Sequence, residues 1–418
     1  MITSHLVRSR QVDDLSHPIK QPVIRSSSGS YRSSDRGQDL FNLGILGEMT
    51  ATTRTPSPTI TKRLLVISSL CVFFLGQETG GKDLSPTTTT VLRRHKPKEL
   101  IFSDEFFDFD TSIWYHEHYP PGHKNGEFQS YSDNPENSYV RDGILFIKPT
   151  YNLDKFGGQE PSSRRNRSIN VGPRPQNDFS PKEGGSFNPI VSARLNTRRA
   201  FAFQYGQLEV RAKVPEGDWI WPAVWLLPQQ YRYGEWPVSG EIDLVECRGN
   251  RELFNGAGEN IGVTQYGSTI HFGMDRATDM WRLANFPRYD DRGFNSRFHT
   301  FGMLWTPDEI AFTLDGEVTG VVTPPPGGFW EMGNFSGPSV WSENKMSPFD
   351  QPFNIVINVA VGGTFGYFPD NRGPKRKPWN NTSPTALMDF WDARDDWMST
   401  WKGEDSALQV DYVRIWAL

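Results

Sequence analysis

Alternation of apolar and polar residues dominates the chain from Glu99 onward. In the segment QLEVRAKV, apolar residues occupy every second position, as expected of a strand with one buried face; these are Leu208, Val210, Ala212 and Val214. Similar short runs recur between Gly, Pro, Asn and Asp residues: GILFIKP, WPAVWLLP, STIHFG, EIAFTLDGE, FNIVINVAVGG and ALQVDYVRIW. Helical periodicity is scarce, and TALMDFWDARDDWMSTW is the one plausible helix or pair of turns. The pattern predicts an all-β fold built as a β-sandwich.

Two stretches of the sequence read as long loops. One runs from Asp154 to Gly185 and the other covers residues 324–350, which begin PPPGGF. Loops of this length in a compact domain are usually functional or disordered, so we expect these two to border a cleft or to lack fixed structure.

An apolar run near the amino terminus, RLLVISSLCVFFLG, follows Lys62. It is shorter than the about 20 residues that span a bilayer and is typical of a signal-peptide core, with a short membrane anchor or a buried strand as alternatives. Because Ser-rich sequence precedes it, we expect Met49 to be the true start. The predicted segments are 1–48, disordered or not translated; 49–81, the signal region; 82–98, a linker; and 99–418, the folded domain.

These segments predict a secreted, extracellular protein without membrane contact after signal removal. Glycosylation sequons agree with secretion and occur at Asn166, Asn334, Asn380 and Asn381. Only Cys71 and Cys247 are present, so no disulfide framework is available, and loss of the signal would leave Cys247 as a lone thiol.

Composition narrows the class of partner. A net charge of -5, without a large basic cluster, argues against nucleic acid and suits a neutral polymer. The 14 Trp, 13 Tyr and 28 Phe residues provide aromatic surface on which sugar rings can stack, although most of them should belong to the core.

Three carboxylates are concentrated in the segment SGEIDLVECRGN. Glu241 and Asp243 are two residues apart and share one face of a strand, while Ile242 and Leu244 point into the core. Glu246 is out of phase unless a bulge adds one residue and restores it to the same face. Such a cluster is either an acidic solvent-facing strand or a catalytic or metal site. Glycosidases require one ionised and one protonated carboxyl beside the scissile bond.

The Glu-x-Asp-x-x-Glu pattern and its surroundings resemble glycoside hydrolase family 16, in its laminarinase branch. The resemblance covers about 99–418 in nine ordered blocks: FSDEF, NGEFQSYSDNPENSYVRDGILFI, SARLNT, YGQLEVRAKVP, WPAVWLLP, YGEWPVSGEIDLVECRGN, STIHFG, FNIVINVAVGGTFGYFPD and VDYVRIW. It implies a jelly roll of two antiparallel sheets with a concave substrate cleft. It also implies retaining endo-hydrolysis of β-1,3-glucan by a monomer that requires no cofactor.

Animal laminarinases and the β-1,3-glucan-binding proteins of invertebrate immunity are both similar to this chain. The binding proteins share the fold but typically replace one or both catalytic glutamates, whereas this sequence retains both. Fewer than a hundred residues precede the domain, which leaves no room for the additional amino-terminal sandwich of many recognition proteins. An enzyme is therefore expected, with a non-catalytic glucan-recognition protein as the alternative.

The resemblance also implies roles for individual residues. Glu241 would be the nucleophile, Glu246 the acid and base, and Asp243 a neighbour that hydrogen-bonds Glu241. The implied sugar contacts are Trp236, Trp225, Trp221, His271, Asn125 and Arg194, for each of which a structural role is the alternative. Asp411 and Glu105 match positions that hold a structural calcium ion in many family members, although Asp411 also fits an ordinary exposed strand position.

Overall fold

The computed structural model describes residues 96–151, 189–342, 344–370 and 376–418. The chain divides into two units, Met1–Thr87 and Thr88–Leu418, and the first lies wholly outside the described residues. The predicted signal region, the loop from Asp154 to Gly185 and the sequon at Asn166 also fall outside them. No helix in the described ranges is long and apolar enough to cross a membrane.

Two antiparallel sheets form the body of the second unit, with strands numbered in chain order. The eight-stranded sheet consists of β1 (Leu100–Asp104), β4 (Ser138–Arg141), β5 (Ile144–Ile147), β9 (Gly206–Lys213), β14 (His299–Trp305), β15 (Ile310–Leu314), β16 (Glu317–Val322) and β18 (Leu408–Trp416). Its order is β16-β15-β14-β9-β18-β5-β4, with β1 also paired to β18. The strand β18 therefore lies in the middle of this sheet.

The seven-stranded sheet carries the acidic segment. It consists of β2 (Tyr115–His116), β8 (Arg194–Asn196), β10 (Ile220–Pro228), β11 (Glu241–Cys247), β12 (Gln265–His271), β13 (Asn285–Tyr289) and β17 (Phe353–Val361), in the order β13-β12-β11-β10-β17-β8-β2. A small third sheet joins β3 (Ser130–Tyr131), β6 (Thr150–Tyr151) and β7 (Ile190–Ser192). The predicted all-β sandwich of two antiparallel sheets is thus confirmed.

Helices are few and short within the described residues. The predicted helical stretch forms α2 (Ala386–Asp392) and α3 (Arg394–Trp397), so the pair of turns is the better description. The predicted loop at 324–350 contains α1 (Gly328–Met332) and otherwise has no regular element in its described part.

The main core lies between the two large sheets. As the alternation predicts, Leu208, Val210 and Ala212 of β9 are buried, and they belong to one apolar cluster with Ile242 and Leu244 of β11. Burial of an aliphatic side chain of this size contributes about 1.5 to 3 kcal/mol relative to exposure. The face of the seven-stranded sheet opposite this core, called the site face below, is left for polar and aromatic side chains.

Gly240 determines where the acidic strand begins. Its φ is +82°, a region that side chains other than glycine rarely adopt, and a Cβ at this position would lie 2.7 Å from Cε1 of Phe349. The backbone therefore passes directly against the Phe349 ring, which places the following residue, Glu241, at the first position of β11.

Candidate active site

A β-bulge brings the three carboxylates to the site face. Against β10, Trp225 pairs with Asp243 and Val224 pairs with Val245, so Leu244 is the extra residue. Leu244 and Val245 are both buried in the core cluster, and the register against β12 shifts at the same place. Glu246 is thereby returned to the same face as Glu241, so the bulge that the sequence left as a condition is present.

His271 lies beside the carboxylates on the neighbouring strand. It pairs with Glu241 in the β11–β12 register, its Nε2 lies 3.2 Å from Oδ2 of Asp243, and its Nδ1 lies 2.7 Å from Oδ2 of Asp279. Burial disfavours a charged imidazole, but the two aspartates outweigh this and raise the pKa of His271 well above its ordinary value. At neutral pH the site therefore holds an imidazolium between two aspartates.

The expected hydrogen bond from Asp243 to Glu241 is not found in the described part of the chain. Asp243 is only 2% exposed and faces His271 instead. The imidazolium is the stronger partner for Asp243, because it offers both a proton and a positive charge. Asp243 thus acts on Glu241 through its charge, while its own carboxylate is paired with His271.

The environment retains protons on the two glutamates. Burial, followed by the charge of Asp243, raises the pKa of Glu241 to about 8 and that of Glu246 to about 7. His271 acts in the opposite direction on both, and a hydrogen bond from Trp221 does so on Glu246. Since the groups titrate together, the cluster keeps at least one proton near neutral pH.

Trp221 is placed differently from the sugar contact that the resemblance implies. It is only 9% exposed, its Nε1 donates to Oε1 of Glu246 over 2.9 Å, and its ring stacks on that of Tyr367. Little of the indole face remains for a sugar, because Tyr367 already covers it. Trp221 therefore contacts the acidic cluster directly.

Trp225 lies on the site face. Its ring nitrogen and one side of its ring already contact other protein groups. Its Nε1 donates to Oδ1 of Asn358 over 2.7 Å, and the Arg194 guanidinium carbon lies 4.5 Å from the ring centroid. Arg194 itself is 4% exposed and forms an ion pair with Glu117 at 2.9 Å. Arg194 thus supports Trp225 from within the protein, in contrast to its expected role as a sugar contact.

Asn125 begins a chain of buried polar groups that ends at Trp225. Its Nδ2 donates to Glu127 over 3.4 Å, the Tyr131 hydroxyl donates to Glu127 over 3.2 Å, and Asn358 donates to that hydroxyl over 3.0 Å. Sequence reasoning missed these three partners. The alternation of polar residues in GEFQSY, with Glu127, Gln129 and Tyr131 at every second position, was a usable signal for Glu127 and Tyr131 but not for Asn358.

Trp236 lies beside His271, with ring centroids 5.7 Å apart, and the guanidinium carbon of Arg276 is 5.1 Å from its centroid. Arg276 also lies 4.6 Å from the centroid of Phe365, which is largely exposed. Neither Arg276 nor Phe365 was a sequence candidate. Together with Trp236 they form an exposed aromatic and cationic border of the acidic cluster.

The loop that carries Trp236 is supported by the second predicted loop and the residues just after it. Trp341 Nε1 donates to the Val238 carbonyl over 2.7 Å, and Gln351 Nε2 donates to the Ser239 carbonyl over 3.2 Å. The hydroxyl of Tyr233 donates to Asp350 over 2.8 Å. The stretch that was expected to border a cleft therefore holds the Trp236 loop in place.

Two groups of residues bear on metal binding. Glu241, Asp243 and His271 each offer a ligand atom within 4.8 Å of the others, a donor set that suits a transition metal. A metal there would have to displace the imidazolium proton, because a protonated imidazole has no free lone pair.

The expected calcium ligands are placed differently. Glu105 accepts two hydrogen bonds from Arg414, at 2.8 and 2.7 Å, and Asp411 forms an ion pair with Arg211. Both carboxylates are thus already paired with arginines, and calcium binding stays a prediction.

Comparison with known proteins places this site in a family. Residues 186–327 match the model described as Glycosyl hydrolases family 16. The chain is 42% identical over 338 residues to a β-1,3-glucan-binding protein of Penaeus monodon, covering 76% of this chain and 90% of that one. It is 34% identical over 331 residues to β-1,3-glucan-binding protein 1 of Manduca sexta, covering 77% of this chain but only 65% of the relative.

A solved structure agrees on the fold. The endo-β-1,3-glucanase from Pyrococcus furiosus matches with a TM-score of 0.51 and 24% identity, over 76% of this chain and 94% of that one. The fold is thereby confirmed, and the family match and the 42% identical relative confirm the resemblance drawn from the acidic segment and its ordered blocks.

Proposed function

Since the chain belongs to glycosyl hydrolase family 16, we propose that it is a retaining endo-hydrolase of β-1,3-glucosidic bonds in laminarin-like glucans. The observation that carries this proposal is the bulge at Leu244, which gathers Glu241, Asp243 and Glu246 on one face. A structural strand gains nothing from three neighbouring carboxylates on one face, whereas glycoside hydrolysis requires a carboxylate and a carboxylic acid side by side.

The proposed reaction has two steps. In the first, a Glu241 oxygen bonds to the anomeric carbon while the glycosidic bond breaks and the Glu246 proton passes to the departing oxygen. In the second, Glu246 takes a proton from water, and the water oxygen displaces Glu241 from the anomeric carbon. Two displacements leave the sugar with its original configuration.

The proton held by the two glutamates is expected to reside on different residues in the free protein and during the reaction. Without substrate, the pKa of Glu241, about 8, exceeds that of Glu246, about 7, although a nucleophile should be ionised. Positive charge that builds on the anomeric carbon faces Glu241 and stabilises its carboxylate, which drives the shared proton toward Glu246. The pair of Asp243 and His271 supplies fixed charges beside this transfer.

This arrangement predicts an alkaline limb in the pH dependence. The value of kcat/KM for laminarin is expected to fall as pH rises through about 7 to 8, because the coupled glutamates then lose the proton that the departing oxygen needs. The prediction is tested by measuring initial rates of laminarin hydrolysis from about pH 4 to about pH 10. With an aryl glycoside that has a good leaving group, the rate of the first step should not fall over this alkaline range. A flat laminarin profile at alkaline pH would contradict the assignment.

The substrate class rests on the relatives and on the aromatic border. Proteins named for β-1,3-glucan binding and for β-1,3-glucan cleavage are both similar to this chain. Trp236 and the exposed Phe365 provide apolar faces for sugar rings, and neutral glucose units suit a protein without a large basic cluster. We further propose that the protein is secreted, which gives it access to such polymers.

The direct test is incubation of the purified protein with laminarin, followed by an assay for new reducing ends. Internal cleavage should shorten the polymer rapidly, with much less effect on cellulose. Glu317→Gln, an exposed carboxylate on β16 of the other sheet, serves as the matched control and should retain full activity. Glu241→Gln should produce no reducing ends.

A glucan-recognition protein without catalysis is the second candidate, because both relatives cited above are named as glucan-binding proteins. It predicts tight laminarin binding, measured by calorimetry, with no product after prolonged incubation. That result would replace the hydrolase proposal, whereas binding accompanied by reducing ends would exclude a purely recognising role.

A further inference from the structure

A layered stack of side chains lies next to Glu246. The rings of Trp221 and Tyr367 are nearly parallel, with centroids 3.8 Å apart and an interplanar angle of 7°. The guanidinium carbon of Arg248 lies 4.0 Å from the Tyr367 centroid. Tyr367 thus contacts an indole and a guanidinium group.

The outer layer is tied to the protein by several hydrogen bonds. Arg248 Nε donates to the Tyr367 carbonyl over 2.8 Å, and its Nη1 lies 3.4 Å from both the Ile261 carbonyl and Oε1 of Gln265. The guanidinium is therefore held against Tyr367 from β12 and from the segment that follows β11. Stacking of a cation on an aromatic ring adds about 0.5 to 2 kcal/mol, depending on desolvation.

The inner layer ends at the acidic cluster. Trp221 has a single N–H group, and that group donates to Oε1 of Glu246 over 2.9 Å. Rotation of the indole about its side-chain bonds would remove this hydrogen bond, and the parallel Tyr367 ring opposes such rotation. Because Trp221 is almost fully buried, water has little access to replace the donor.

We propose that Tyr367 is a positioning residue for Glu246, acting through Trp221, with Arg248 holding Tyr367 from its other side. This proposal rests on the proposed function, since it concerns the residue assigned as acid and base. Tyr367 does not touch the reacting atoms; it fixes the orientation of the one indole N–H that reaches Glu246.

The chemical consequence follows from the type of donor. A neutral N–H that donates to a carboxyl oxygen favours the ionised form, and it lowers the pKa of Glu246. Loss of the stack should therefore let Glu246 keep its proton to a higher pH. Proton donation in the first step would persist into alkaline solution, while proton removal from water in the second step would weaken at neutral pH.

The experiment follows the Trp221 indole directly. The full chain is labelled with ¹⁵N at tryptophan, and the Trp221 indole resonance is identified by its absence in Trp221→Phe. In the unaltered protein this resonance should shift with pH as Glu246 titrates, with a midpoint near pH 7. Tyr367→Leu should reduce that shift to less than half, whereas Tyr367→Phe, which keeps the ring, should restore it.

Activity provides a second readout. In Tyr367→Leu and in Trp221→Phe, the alkaline limb of kcat/KM should move upward by about 1 pH unit, the effect expected from loss of one hydrogen bond. Arg248→Gln retains the Tyr367 ring and should reduce the Trp221 indole shift by a smaller amount; the indole shift is the readout for this variant, because the Arg248 charge itself lowers the pKa of Glu246. Thermal melting shows whether Tyr367→Leu is folded. If it is not, Arg248→Gln provides the test.

The outcomes separate the two proposals. An unchanged Trp221 titration and an unchanged alkaline limb in folded Tyr367→Leu would overturn the positioning role, whatever the activity. If folded Arg248→Gln matches the unaltered protein in the indole shift, Arg248 takes no part in positioning Glu246. If the indole titration behaves as expected but laminarin is never cleaved, the hydrolase proposal fails while the contact with Glu246 stands.

Discussion

Replacement of Glu241 by alanine is expected to reduce laminarin hydrolysis on the order of 10⁶-fold, as when other hydrolases lose a covalent nucleophile. An activated aryl glycoside should be equally resistant, because a good leaving group does not supply the missing nucleophile. Reducing-end assays and release of the aryl group measure the two effects. The strand should remain folded, since Glu241 lies on the site face and contributes nothing to the core between the sheets.

Azide provides the positive readout for this variant. The small anion should enter the space vacated by the carboxylate and displace the leaving group once, giving an α-glycosyl azide from a β-glycoside. Glu317→Ala, with a carboxylate removed from the opposite sheet, should give no azide product. A β-configured azide from Glu241→Ala would show that another residue is the nucleophile.

Replacement of Glu246 by alanine should separate the two steps of the reaction. Laminarin hydrolysis is expected to fall about 10³-fold, the usual contribution of a general acid and base. An activated aryl glycoside needs no protonation, so its first turnover should remain fast and appear as a burst of released aryl group. The covalent intermediate then accumulates, because no base activates water.

Azide should release that intermediate without help from a base. The second displacement then gives a β-glycosyl azide, the opposite configuration to that from Glu241→Ala. Mass spectrometry of the stalled protein should find the sugar attached to Glu241. Reversed configurations in the two variants would exchange the roles of the glutamates and leave the family membership intact.

Local sequence rules were sufficient to predict the acidic face. Period-two alternation assigned Glu241 and Asp243 to one side and Ile242 to the other, and the phase of Glu246 required an extra residue. The identity of that residue, Leu244, could not be predicted, because Leu244 and Val245 are both apolar and both fit the core. The three-dimensional register decides between them.

Partners distant in sequence could not be predicted. Glu117 neutralises Arg194, which lies 77 positions later, and Arg211 and Arg414 occupy the carboxylates that were expected to bind calcium. A sequence shows that a charged residue is present but not whether another strand brings it a counterion. The same limit explains why Arg194 was assigned to sugar and why the Tyr367 contact with Trp221 was missed.

The central place of β18 has a consequence for synthesis of the protein. Although Leu408–Trp416 is the last strand along the chain, it is the strand that joins β9 to β5 and that pairs with β1. Without this strand, the sheet would consist of two separate parts whose facing edges lack hydrogen-bond partners. A premature stop codon ahead of Leu408 would therefore remove the middle of the sheet instead of trimming its edge, and the two exposed edges would favour aggregation.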